Sequence, residues 1–169
     1  NEFSGCTFDV ADYGLIMGGG DGIFTDGCVV NSDRHGVMIH NCMGTLTIDK
    51  DSVFNAKSSV ILMKTAYPTI IVDGAELNSE SGIIIQAIVN DDPMGRPGAV
   101  MPEGFSGGVP GGPGVVVTDT SDITVLLKNT ILYGDIVNAM TPKGNEIVSL
   151  ENTTLTGAIT TATSESQAD

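Results

Sequence analysis

The chain has 169 residues, 41% of them apolar, with 21 Asp and Glu against seven Lys and Arg, a net charge of −14. The few bases are scattered, which excludes a phosphate-binding surface of the kind nucleic acid requires, and the acidic balance keeps the chain soluble while disfavouring an anionic polysaccharide unless Ca²⁺ bridges the two. No apolar run approaches the roughly 20 residues of a membrane-spanning helix, and with aromatics at only 5% and no Trp the core must be thin and aliphatic.

In chain order the first feature is a phrase that repeats. Ser4-Gly5-Cys6-Thr7-Phe8 is followed by Asp26-Gly27-Cys28-Val29-Val30, Lys50-Asp51-Ser52-Val53-Phe54 and Asp73-Gly74-Ala75-Glu76-Leu77. After a longer gap come Lys128-Asn129-Thr130-Ile131-Leu132 and Glu151-Asn152-Thr153-Thr154-Leu155. The third residue is small and the fifth large and apolar. The starts step by roughly 22 to 24 residues, a period that marks a solenoid. Each phrase leads through a polar corner to a second apolar run, such as Gly14-Leu15-Ile16-Met17 or Gly36-Val37-Met38-Ile39. A third run precedes the later phrases, with Ile70 and Val72, Val125 and Leu127, and Val148 and Leu150 in alternation. Short runs of this kind between turn residues are strands, and no sustained 3.6-residue period argues for long helices.

Stacking equivalent positions gives rows. Phe8, Val30, Phe54, Leu77, Leu132 and Leu155 form an inward apolar row. Cys6, Cys28, Ser52, Ala75, Thr130 and Thr153 form a small one beside it. Cys6 and Cys28 read as a stacked apolar pair of thiols rather than a designed disulfide. Cys42 has no CxxC partner, and no zinc spacing exists. The next row is Asp9, Asn31, Asn55 and Asn78. Asn and Asp tolerate left-handed geometry, so this row is expected at a turn, where stacked amides can hydrogen-bond as a ladder. It breaks at Tyr133 and Thr156.

These features resemble the right-handed parallel β-helix, pectate-lyase-like superfamily, carried by Asn31, Asn55, Asn78 and the stacked apolar rows. The motifs Asn129-Thr130-Ile131-Leu132-Tyr133-Gly134 and Asn152-Thr153-Thr154-Leu155-Thr156-Gly157 are also similar to repeats of large secreted bacterial surface proteins and adhesins. The implied fold is all-β: one parallel β-helix domain over residues 1–169, of about six to seven coils, expected to be part of a longer array. The resemblance implies a secreted or cell-surface setting, and enzymes of the superfamily that cleave acidic polysaccharides use carboxylates with Ca²⁺ and a basic residue, or paired Asp acids for hydrolysis. One fold hosts many functions, however, so the site must decide.

Candidate chemistry is sparse. Asp33, Arg34 and His35 form the densest reactive cluster, with His40 and Lys64 on neighbouring coils. They match no lyase or hydrolase motif, and a solvated turn explains them. Gly18-Gly19-Gly20-Asp21-Gly22 lacks the Lys-Ser/Thr of a phosphate loop and reads as a turn between coils. Residues 90–114 are rich in Gly and Pro, and a loop of that length is functional or disordered. Asp91, Asp92, Arg96 and Phe105 are the binding candidates there. Asp91 and Asp92, with Asp119 and Asp122 beyond the loop, are candidate Ca²⁺ ligands by oxygen chemistry alone.

The leading expectation is therefore a non-enzymatic surface module, a rigid stalk or adhesin-like scaffold. It would bind a host or bacterial glycan or protein through the insertion. The alternatives are a polysaccharide lyase or glycoside hydrolase, and a filament subunit that stacks end to end through open strand edges.

Overall fold

The computed structural model describes residues 1–89, 122–141 and 145–163. They form eighteen strands in six successive rungs, with no helix among the described residues. The first rung is β1 (Glu2–Ser4), β2 (Thr7–Val10) and β3 (Tyr13–Met17). The second is β4 (Gly22–Thr25), β5 (Val29–Ser32) and β6 (His35–His40). The third is β7 (Thr45–Ile48), β8 (Val53–Ala56) and β9 (Ile61–Lys64). The fourth is β10 (Thr69–Asp73), β11 (Glu76–Ser79) and β12 (Ile83–Ile88). The fifth is β13 (Ile123–Lys128), β14 (Ile131–Tyr133) and β15 (Asp135–Thr141). The sixth is β16 (Glu146–Glu151), β17 (Thr154–Thr156) and β18 (Ile159–Thr163).

Each strand pairs in parallel with its counterpart one rung away, which makes three faces of a parallel β-solenoid. The first face runs β1-β4-β7-β10-β13-β16 and the third β3-β6-β9-β12-β15-β18. The second face is divided into a sheet of β2, β5, β8 and β11 and a two-stranded sheet of β14 and β17. Across the long gap Asp73 and Lys128 are register partners, as are Thr69 and Thr124. The stack thus resumes on β10 without losing a rung, β12 ending at Ile88 and β13 beginning at Ile123.

Period-2 alternation buries one side of the strands in the middle rungs, as in β4, β5, β7, β8, β10 and β13. On the first face Phe24, Ile48, Val72 and Leu127 lie in one row and are fully buried. Each such side chain contributes about 1.5–3 kcal/mol on leaving water. The phrase positions follow suit: Val30, Phe54, Leu77 and Leu132 are buried, as are Cys28, Ser52, Ala75 and Thr130 beside them. The few aromatics gather near the first rungs, with the Phe3 ring 4.9 Å from Phe24 and Phe24 5.0 Å from Phe54. All three cysteines are free.

The second position of the phrase carries the corner. Gly5, Gly27, Asp51, Gly74, Asn129 and Asn152 all have φ between 48° and 75°. Only Gly, Asn and Asp adopt this left-handed turn readily, and only they occur there. The Asn row reads differently from expectation. Asn31, Asn55 and Asn78 do not sit at a left-handed turn; they lie inside β5, β8 and β11 and point outward, opposite the buried Val30, Phe54 and Leu77. Strand alternation fixes that orientation, because the neighbouring fifth position must face the core.

Candidate binding groove

Outward from β2, β5, β8 and β11 the side-chain amides join into a chain. Asn78 Nδ2 donates to Asn55 Oδ1 at 2.9 Å, Asn55 Nδ2 to Asn31 Oδ1 at 2.8 Å, and Asn31 Nδ2 to Asp9 Oδ1 at 2.7 Å. The in-register pairing of the strands holds these residues one above another. With strands about 4.8 Å apart, Asp9 to Asn78 spans about 14 Å along the solenoid axis. The row floors an open groove of about 710 Å³. Its wall is the next corner, where Ala11, Asp33, Lys57 and Glu80 stack. Lys57 Nζ lies 2.7 Å from Asp33 Oδ1. That hydrogen bond, with Glu80 adding its field, raises the Lys57 pKa and keeps the ammonium charged. The groove therefore presents amide donors and acceptors along its floor, with the Asp33–Lys57 pair and the further carboxylate of Glu80 along its rim.

A second ladder, unforeseen from the sequence, runs along the phrase's corner: Asn152 Nδ2 donates to Asn129 Oδ1 at 3.0 Å and Asn129 Nδ2 to Asp73 Oδ1 at 2.8 Å. The signal was present. All six phrases carry Gly, Asp or Asn at position two, and the last two carry Asn.

The reactive residues named from the sequence are not brought to one place. Asp33 is on the groove rim in its ion pair with Lys57. Arg34 turns away, its Nη1 3.3 Å from Asp12 Oδ1 and its guanidinium over the Tyr13 ring. His35 is buried, its ring parallel to Tyr13 at 5.7 Å. Its Nδ1 lies 2.9 Å from Ser59 Oγ and 3.0 Å from the Ser59 carbonyl oxygen, so the ring is held by the neighbouring rung rather than turned to the groove. His40 ends the strand that His35 begins, about 16 Å further along the third face. Lys64 is the register partner of His40 on β9, remote from the groove. Asp91, Asp92, Arg96, Phe105 and Asp119 lie outside the described residues. Among the described residues no group of three metal-ligating side chains converges. Nor is any described helix long and apolar enough to cross a membrane.

Among the described residues Glu146 is the carboxylate whose setting departs furthest from water. It opens β16 in the inward row above Ile123, and its Oε1 is buried without a hydrogen-bond partner. Burial pushes its pKa up to about 7. Cys42 is also raised by burial, which makes it a poor nucleophile.

Comparison with protein-family models, with characterised proteins and with solved structures returned no match. The function must be argued from the solenoid and its groove.

Proposed function

We propose that this chain is a non-enzymatic binding module of a secreted or cell-surface protein, a stiff β-helical stalk that presents one polar groove to a partner surface. The likeness to pectate-lyase-like and adhesin repeats supports the surface setting. The observation that carries the reading is the groove itself, floored by the continuous run from Asp9 to Asn78 and walled by the Asp33–Lys57 pair. Preformed concave sites with convergent polar groups are where ligands bind, and a floor built on four paired strands needs no ordering when a ligand arrives.

A hydrolytic reading is less well supported. Asp33 and Glu80 stand two rungs apart on the rim, but both are exposed. A carboxyl serving as general acid works best set against apolar walls, and both of these side chains stand in solvent. Residues 90–114, the second candidate contact, follow β12 in the sequence and lie outside the described residues. The test compares three proteins for retention on immobilised glycans and on cell-surface preparations: the intact chain, a chain lacking 90–114, and Asn31→Ala/Asn55→Ala. Loss of binding in the double variant alone places the site in the groove. Loss in the deletion alone places it in the insertion. Release of new reducing ends from the glycans would replace the binding reading with the enzymatic one.

A further inference from the structure

The Asn row stops at Asn78, but the face does not. Thr130 Oγ1 donates to the Ala75 carbonyl at 2.7 Å, which seats the fifth-rung phrase directly on the fourth. Counting three residues on from each places Tyr133 after Asn78 in the line that runs Asp9, Asn31, Asn55, Asn78. Strand β14 lies beside β11, with Leu132 buried and Ile131 and Tyr133 turned outward. Tyr133 is 68% exposed and Ile131 64%. The other two tyrosines are used in packing: Tyr67 is buried and Tyr13 stacks on His35. The polar floor thus ends at an unspent aromatic ring with an apolar neighbour.

We infer that the groove takes an uncharged, extended β-linked glycan running along the solenoid axis, with Tyr133 as a stacking platform for the sugar at its far end. This rests on the groove being the binding site. Five observations select the ligand class. The floor offers amides, which donate to and accept from hydroxyls without requiring charge. Asp33 pairs with the groove's Lys57, while Asp9 and Glu80 leave the lining acidic, which disfavours an anionic chain. A polyanion would also meet the field of a chain at −14. A ring face with an adjacent aliphatic side chain suits the apolar face of a pyranose, as aromatic side chains supply large, rigid contact area. The rung spacing of about 4.8 Å is close to the advance of one sugar in an extended β-1,4 chain, whose sugars turn over alternately so that every second one presents the same edge to the amide row.

The test is calorimetric titration of the full chain with cellohexaose and mannohexaose, and with hexagalacturonate, a chitosan hexamer and an uncharged extended decapeptide as comparators. Saturable binding of a neutral hexasaccharide is expected. Tyr133→Ala is expected to weaken it about tenfold, Tyr133→Phe to retain it, and Thr47→Ala on the first face to leave it unchanged. Far-UV circular dichroism and melting of Tyr133→Ala should match the parent, because the side chain is exposed. Wild-type affinity in Tyr133→Ala would overturn the platform. Binding of a charged hexamer or the peptide in place of the neutral sugars would overturn the ligand class while leaving the groove as a site. Loss of surface retention in Asn31→Ala/Asn55→Ala, with no hexasaccharide bound, would also overturn the class and not the groove. If that variant keeps full retention, the groove itself fails.

Discussion

At the residue scale, the inward row Cys28, Ser52, Ala75 and Thr130 shows how each polar atom is treated. Thr130 donates to Ala75 O, and Cys28 Sγ lies 3.3 Å from Phe3 O. Ser52 Oγ is buried with no partner. An unmade buried hydrogen bond costs roughly 1–3 kcal/mol, so Ser52→Ala should leave stability unchanged or raise it by about 1 kcal/mol in urea denaturation. Asn55→Ala has the opposite sign. It removes one donated and one accepted ladder bond, and should cost about 1–2 kcal/mol. Glu146 sets a pH dependence. Its folded pKa of about 7 stands above the unfolded value of 4.5, so the native state holds a proton that the unfolded chain releases. Its contribution is full below about pH 4.5 and is lost as pH rises through 7, on the order of 3 kcal/mol in all. Glu146→Gln should remove that slope from midpoints measured between pH 5 and 8.

At the element scale, the corner after each first-face strand depends on one left-handed residue. At Gly74, φ is 69°, and an added Cβ would meet Lys50 at 3.7 Å, an ordinary contact. Backbone strain alone then sets the cost of Gly74→Ala, about 1–2 kcal/mol. These corners also show what was legible in the sequence. The buried third and fifth positions announce themselves by size and apolarity, and the parallel stacking follows from the period. The ladder's hydrogen bonds could be read from Asn31, Asn55 and Asn78, but not its orientation. Asn is favoured at left-handed turns and depleted in strands, so residue type pointed to a turn, and only the register of Phe54 against the core puts the row on a strand. The groove was less legible still. Asp33, Lys57 and Glu80 fall at one corner in the sequence, yet their wall becomes a site only when the outward amides lie beside it. Tyr133 was visible as a break in the row, not as a surface, because its exposure depends on how β14 sits beside β11.

At the scale of the whole molecule, the solenoid is a ruler. Rungs repeat at strand spacing, equivalent side chains form lines, and a line of amides ending in an aromatic is a surface matched to a linear polymer. Because Asp73 and Lys128 are register partners, the stack does not need residues 90–114 to close. Deleting them should leave the far-UV spectrum intact and move the melting midpoint by only a few degrees, since loop length costs little. The central claim is that the partner lies along the outward amides of the second face. The most direct measurement is a two-dimensional ¹H–¹⁵N spectrum of side-chain and backbone amides during titration with a neutral β-1,4 hexasaccharide. Progressive shifts of the Asn31, Asn55 and Asn78 Nδ2 signals, together with the Tyr133 backbone amide, are the result this account predicts. Shifts confined to residues 90–114 or to the third face around His40 and Lys64, with the ladder signals unmoved, would contradict it.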